Sequence, residues 1–127
     1  MKIEEIKKLL SLKEELDNLS SNIFDYVKEK YINQLKFFRS SSYGDYNVDE
    51  KHLSIEYYDY GYDLYENDYL PDIPIEYLEE EASWKKFLDE YYKKKIMAEK
   101  ERLAKEEQEK QDKERDLYEK LKKKFEN

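Results

Sequence analysis

The chain contains no cysteine, which excludes disulfide bridges, zinc–thiolate sites and cysteine nucleophiles. It has a single histidine, His52, with no nucleophile motif near it in the sequence, and we expect this residue at the exposed start of a strand. A phosphate-binding loop and a cluster of metal ligands are also missing from the sequence. We therefore expect a protein that is not an enzyme and that uses no metal and no cofactor.

Long apolar runs are missing as well. No stretch approaches the ~18 apolar residues of a membrane span. The first five residues include Glu4 and Glu5, whereas a secretory signal needs a basic start followed by an apolar run. These features predict a cytoplasmic location and no membrane partner.

Glycine and proline are scarce, and their positions divide the chain. The two glycines and two prolines all lie in the middle, at Gly44, Gly61, Pro71 and Pro74. The flanking stretches, free of both residues, are long enough for extended helices. We expect one domain of three segments: an N-terminal helix, straight or bent, in 1–42, an acidic tyrosine-rich β-hairpin region in 43–78, and a long charged helix in 79–127.

The first helix is predicted from its apolar spacing. Alternating steps of three and four place a set of residues on one seam: Leu9, Leu12, Leu16, Leu19, Ile23 and Tyr26. The stripe continues one position over, through Val27, Tyr31, Leu35 and Phe38. Serine and asparagine at 18–22 offer competing hydrogen bonds, so this is the weak point of the helix, and the sequence leaves open whether it bends or breaks there. The seam is expected to pack on the second helix or on a second copy.

The last helix changes character along its length. Its first third has a broad apolar stripe of Trp84, Phe87, Leu88, Tyr91, Tyr92 and Ile96. Residues 105–116 contain no apolar side chain, and acid-to-lysine pairs at i,i+4 support that stretch. An apolar patch then returns at Leu117, Tyr118, Leu121 and Phe125. This exposed end is consistent with a homodimer through the helices.

The fold class that follows is mainly α with a small antiparallel β-hairpin (α+β), in the order long helix, hairpin, long helix. The two helices are expected to form an antiparallel, coiled-coil-like pair. Because the polar stretch interrupts the apolar seam, this pairing is expected to be incomplete.

The hairpin is predicted from alternation in the middle of the chain. Bulky residues alternate from Leu53 and then change parity near Gly61, which predicts one strand over 52–64 with a β-bulge. A turn at 66–68 would lead to an irregular second strand over 69–77, because its prolines lack backbone donors. The alternative places the hairpin tip at Tyr60-Gly61. The apolar contacts to the helices would come from Leu53, Ile55, Tyr57, Ile73 and Ile75.

The negative charge is concentrated in this middle. The whole chain has a net charge of −8. Residues 45–90 carry 15 acids and 3 bases, a net −12, whereas 1–44 carry 7 acids and 8 bases and 91–127 carry 10 acids and 13 bases. Phosphates would be repelled by the middle, which argues against direct contact with nucleic acid. A partner protein with a basic surface is favoured.

The candidate binding residues are acids and tyrosines of this middle. Eight tyrosines lie between Tyr43 and Tyr69, more than solubility or a small core requires. Tyrosine gives large contact area at low entropic cost and stacks on arginine. The EF-hand order of acids and glycine is absent from 59–70. The predicted partner-binding residues are Glu56, Tyr58, Asp59, Tyr60, Tyr62, Asp63, Tyr65, Glu66, Asp68, Tyr69, Asp72 and Glu76.

A small acidic, tyrosine-rich chain with Lys/Glu helices and no enzyme motif resembles the anti-defence proteins that bacteriophages encode, among them anti-CRISPR inhibitors and other DNA mimics. The resemblance is one of overall character. It implies inhibition of a host nuclease or nucleic-acid-binding complex by occlusion, in the host cytoplasm. The alternative is a coiled-coil structural or scaffolding protein of phage or bacterial origin, in which the helices carry the function and the acidic middle is only a solvated tip.

Overall fold

A computed structural model describes residues 1–61 and 64–126, with the side chains of all of these except 37, 60, 61 and 64–66. The chain forms two compact units, Met1–Tyr92 and Lys93–Asn127. Its elements in order are α1 (Ile3–Tyr31), a 3₁₀ turn (Lys36–Ser40), β1 (Ser41–Val48), β2 (His52–Gly61), β3 (Leu64–Tyr69), β4 (Ile73–Pro74), a second 3₁₀ turn (Ile75–Tyr77) and α2 (Glu81–Glu126). The fold is α+β, with two helices and a small antiparallel sheet.

The sheet has β2 at its centre. β1 and β3 pair with it on opposite sides, both antiparallel, and the short β4 pairs with its start through Leu53 and Ile73. The predicted alternation in β2 is confirmed, since Leu53, Ile55 and Tyr57 are buried. Ile73 is buried too, and Ile75 is half-buried. A small sheet of this kind is stable because one face is covered by helices.

Other parts of the predicted hairpin were wrong. The strand β1 was not predicted, and the bulge lies in β1 between Tyr43 and Asp45, not near Gly61. Gly61 pairs in regular register with Leu64, at the end of the β2–β3 hairpin. Residues 66–68, predicted as a turn, belong to β3 because they pair with 57–59 of β2. Beyond Pro71 the predicted second strand is reduced to Ile73–Pro74.

The first helix is shorter than predicted and is not broken. It runs continuously through 18–22, where Ser20 is fully buried, so a small side chain there allows close packing. It ends at Tyr31, and Leu35 has non-helical dihedrals (φ −121°, ψ 86°). The chain then tightens into the 3₁₀ turn, which the Ser41 hydroxyl closes by donating to the Phe38 carbonyl at 2.7 Å. Leu35 and Phe38 are buried as predicted, but Leu35 lies just before this turn and Phe38 within it, not in a helix.

Aromatic rings form the centre of the Met1–Tyr92 unit. Phe24 of α1, Phe38 of the 3₁₀ turn, Tyr57 of β2 and Tyr92 of α2 are all buried. Phe38 lies 6.5 Å from Phe24, 5.7 Å from Tyr57 and 5.9 Å from Tyr92, measured between ring centroids. These separations are those of favourable aromatic pairs. One ring cluster therefore joins α1, the sheet and the start of α2.

Only the C-terminal part of the apolar seam of α1 is buried in this packing. Ile23 and Val27 are buried, whereas the side chains of Leu9 and Leu12 are 53% and 46% exposed. In the Met1–Tyr92 unit α1 instead meets α2 through aromatic pairs, Tyr26 with Trp84 and Tyr31 with Tyr92. These pairs advance in the same direction along both helices. An antiparallel leucine seam does not describe this contact.

Asp89 joins α1 to α2 through three donors. Tyr31 Oη lies 2.6 Å from Asp89 Oδ1, Tyr26 Oη 2.9 Å from both carboxylate oxygens, and Lys30 Nζ 2.9 Å from Oδ2. Partial burial opposes ionisation of Asp89. The hydrogen bonds from Lys30, Tyr31 and Tyr26 outweigh that effect and hold the pKa of the carboxyl below its ordinary value.

We predict that Asp89→Asn lowers the free energy of unfolding by about 2 kcal/mol near neutral pH, because three donors lose a charged acceptor. The folded-state pKa of Asp89 is below the unfolded value of about 3.9, so the stability it contributes is complete above about pH 5. That contribution is lost as pH falls through the folded value. Denaturant unfolding between pH 3 and pH 7 measures both effects.

The matched control is Asp116→Asn, an exposed acid on the same helix. It should change the free energy of unfolding by less than about 0.5 kcal/mol. An equal effect of the two substitutions, or a difference between Asp89→Asn and wild type that widens on acidification, would contradict the role assigned to Asp89.

Candidate functional site

The sheet separates two sets of side chains. Toward the helices it presents Leu53, Ile55 and Tyr57 of β2, and Tyr46 and Tyr43 of β1, whose hydroxyls donate to the Lys13 carbonyl and to Asp17 of α1. Because successive strand residues point to opposite faces, the residues between them point away from the helices. We call this second side the outer face. Its described members are Ser42, Asp45, Asn47, His52, Ser54, Glu56, Tyr58, Asn67 and Tyr69.

The outer face is acidic and carries an exposed aromatic ring. Asp45 and Glu56 are direct cross-strand partners, and Glu56 also pairs with Tyr69 on the other side. The Tyr69 side chain is 59% exposed. Asp72 joins this group, because its Oδ1 accepts from the Ser54 hydroxyl at 2.7 Å. Among the described residues of the outer face there is no lysine or arginine.

These residues line a shallow open groove. Its walls are formed by Asp45, Asn47, Ser54, Glu56, Tyr69 and Asp72, together with Tyr46. Carboxylates opposite one another across strands repel and lower stability. The Asp45–Glu56 pair is therefore unfavourable in the free protein, and a cation placed between the two carboxylates would relieve it. The groove is chemically suited to guanidinium or ammonium groups.

Gly44 sets the position of Tyr58 on this face. A Cβ atom at Gly44 would lie 3.0 Å from the Tyr58 ring atom Cζ and 3.0 Å from the Glu56 carbonyl oxygen. Both separations are shorter than ordinary van der Waals contacts. The Tyr58 ring therefore lies across β1 at the bulge, in space that only glycine leaves open.

In the two edge strands, β1 and β3, charged side chains form hydrogen bonds with backbone groups. In β1 the Tyr46 N–H donates to Asp45 Oδ1 at 2.7 Å, and the Lys28 ammonium donates to the Ser41 carbonyl at 2.6 Å. In β3 the Tyr69 N–H donates to Asp68 Oδ1 at 2.8 Å. Charged groups on edge strands oppose the addition of another strand.

The β1–β2 turn adds a further carboxylate that stays ionised. Asp49 Oδ1 accepts from the N–H groups of Lys51 and His52, both at 2.7 Å. These hydrogen bonds hold the pKa of Asp49 below its ordinary value. His52 begins β2, as predicted.

The structure brings together part of the predicted binding set. Glu56, Tyr58, Tyr69 and Asp72 lie on or beside the outer face, whereas Asp68 points to the helix side, where it accepts from the buried Tyr57 hydroxyl at 3.1 Å. Two further predicted residues lie elsewhere: Asp59 is half-buried in register with Ser41 and Glu66, and Glu76 is exposed in the second 3₁₀ turn. The other predicted residues cannot be placed on a face. Tyr62 and Asp63 lie outside the described residues, and so do the side chains of Tyr60, Tyr65 and Glu66.

Sequence reasoning missed the polar members of the groove. Asn47 was not predicted, because β1 was not recognised as a strand, and Ser54 of the predicted strand β2 was not included in the binding set. The sequence signal was weak: Tyr46 and Val48 alternate with polar residues over only four positions, and Gly44 interrupts the pattern.

The described part of the chain contains no group of three or more His, Asp or Glu side chains arranged to hold a metal ion. It also contains no helix with the length and apolarity to cross a membrane.

Comparison with protein-family models, with curated proteins and with solved structures found no match to the chain.

We predict that Gly44→Ala lowers the free energy of unfolding by about 1–3 kcal/mol, because the new methyl group overlaps the Tyr58 ring and the Glu56 carbonyl. In a Tyr58→Ala background the ring contact is gone, so the same substitution should cost less. A double-mutant cycle by denaturant unfolding measures this coupling. Strict additivity of the two substitutions would contradict the contact between Gly44 and Tyr58.

Proposed function

We propose that the protein is an inhibitor that binds another protein through the outer face and occludes a basic, nucleic-acid-binding surface. The observation that carries this proposal is the like-charge pair Asp45–Glu56 on a face with no lysine or arginine among its described residues. Such a pair lowers stability and is not needed for solubility, since the helices already carry many charges. A basic group of a partner would relieve the repulsion between these two carboxylates and bind to both.

The second support is the placement of tyrosine beside the carboxylates. Tyr69 is exposed next to Glu56, and Tyr58 lies across β1. Tyrosine rings stack on guanidinium groups while carboxylates accept their hydrogen bonds, so the two residue types together suit arginine. Arginine is also the residue that nucleic-acid-binding grooves use most for phosphate contact.

The third support is the distribution of charge. Duplex DNA carries about one negative charge per 1.7 Å of its axis. The net −12 of residues 45–90 provides a dense negative surface on a small protein. We infer a DNA-mimic mode of action of the anti-CRISPR type, in the cytoplasm of a host cell, with a CRISPR effector or another defence nuclease as the class of target.

The proposal predicts opposite effects of one substitution on stability and on binding. Glu56→Gln should raise the free energy of unfolding by about 0.2–1 kcal/mol, because it relieves repulsion with Asp45. The same variant should inhibit less well. Denaturant unfolding gives the first quantity, and competition with duplex DNA for guide-loaded CRISPR effector complexes, followed by mobility shift, gives the second.

Charge-reversal variants test in the same assay whether inhibition depends on the outer face. Glu56→Lys with Asp72→Lys should abolish inhibition, whereas the matched reversals Glu107→Lys with Glu114→Lys on α2 should leave it unchanged. Inhibition should weaken steeply as salt rises, since screening shortens the reach of charges. Equal inhibition by the two double variants, or affinity independent of salt, would contradict the proposal.

The second candidate function is a coiled-coil structural or scaffolding protein. It is favoured by the exposed apolar residues of the first turns of α1, including Leu9 and Leu10 at 53% and 61% exposure. Deletion of 104–127 should abolish function under this scaffolding hypothesis and leave the inhibitor active. Charge reversal at Glu56 and Asp72 has the opposite expected outcome, so the pair of variants separates the two functions.

A further inference from the structure

A second surface, distinct from the outer face, lies between α1 and the start of α2. It is a groove of about 500 Å³, within the size range of ligand pockets. Leu19, Tyr26, Leu78 and the buried Trp84 form its apolar floor. Its rim carries four exposed carboxylates, those of Asp25, Glu29, Glu79 and Glu81.

The groove already accommodates one cation of the chain itself. The Lys85 ammonium is paired with Glu81 and lies 5.0 Å from the centre of the Tyr26 ring and 5.7 Å from that of Trp84. Cations over aromatic faces are stabilised by the ring quadrupole. The floor and rim together therefore favour an occupant that is both apolar and basic.

The end of α2 has that composition. Leu117, Leu121 and Phe125 recur every four residues and so share one side of the helix, and their side chains are 59%, 46% and 83% exposed. Lys120 and Lys124 flank this stripe on one side. We call residues 117–125 the basic tail. Nothing in the Lys93–Glu126 part that the structure describes covers its apolar side chains.

We propose that the groove binds the basic tail of a second copy of this chain, and that two copies exchange tails reciprocally. The apolar stripe of the tail lies on the floor, and its lysines face the four rim carboxylates. The opposite charges of groove and tail support this pairing. Trp84 and Glu81 lie in the first turns of α2, and the basic tail forms its last turns.

Reciprocal exchange gives a closed dimer with two-fold symmetry, because each groove binds the tail of the other copy. It buries both the apolar floor of the groove and the apolar stripe of the basic tail. The proposal does not depend on the inhibitor function, since the groove and the outer face share no residue.

Sedimentation equilibrium of the full chain tests the exchange. Wild type should dimerise with concentration. A groove variant, Asp25→Lys with Glu29→Lys, and a tail variant, Lys120→Glu with Lys124→Glu, should each dissociate at least about tenfold more readily. An equimolar mixture of the two variants should recover the dimer, because the basic groove of one meets the acidic tail of the other.

Trp84, the only tryptophan, reports directly on the groove. Its fluorescence should shift with concentration in wild type and in the mixture, but in neither variant alone. The control Lys110→Glu with Lys113→Glu, which makes the same charge change outside the tail, should dimerise like wild type. A wild type that stays monomeric at all concentrations, a dimer unaffected by both variants, or a mixture that stays monomeric would overturn the proposal.

Discussion

The Met1–Tyr92 unit depends on one aromatic cluster that joins its helices to its sheet. Phe38 contacts Phe24, Tyr57 and Tyr92, and these three rings belong to α1, β2 and α2. Each ring buries a large apolar area and adds to that of the buried aliphatic residues. Burial raises the pKa of the Tyr57 and Tyr92 phenols above the ordinary value, so both remain neutral in the core. Tyrosine thus has a structural role on the helix side of the sheet.

On the outer face the same residue type has a different environment. Tyr69 is exposed beside Glu56, and Tyr58 occupies the space that Gly44 leaves open. The sheet separates tyrosines on its helix side from tyrosines on its outer face. This division explains why an acidic segment can be so rich in aromatic residues. The core needs one set, and the proposed contact with a basic partner uses the other.

The sequence predicted the parts of the fold that have strong periodicity. Helical spacing located α1 and α2, and alternation located β2 with its buried residues Leu53, Ile55 and Tyr57. Prediction from the sequence was wrong where tertiary contacts determine the secondary structure. The 3-4 spacing continued past Tyr31 because Leu35 and Phe38 are also buried, although from a residue just before a 3₁₀ turn and from the turn itself. The strand β1 has a bulge and few β-branched residues, so only its pairing with β2 defines it. The groove on the outer face needs that pairing, which is why Asn47 was missed.

We propose that the outer face is a preferred site for basic groups and not merely one of many solvated acidic stretches. Titration with octa-arginine at moderate salt, followed by backbone amide chemical shifts, distinguishes the two cases. We expect large shifts at Asp45, Glu56, Tyr69 and Asp72 and small shifts at the exposed acids of 99–119. Shifts spread evenly over all exposed acids, or centred on 99–119, would contradict it.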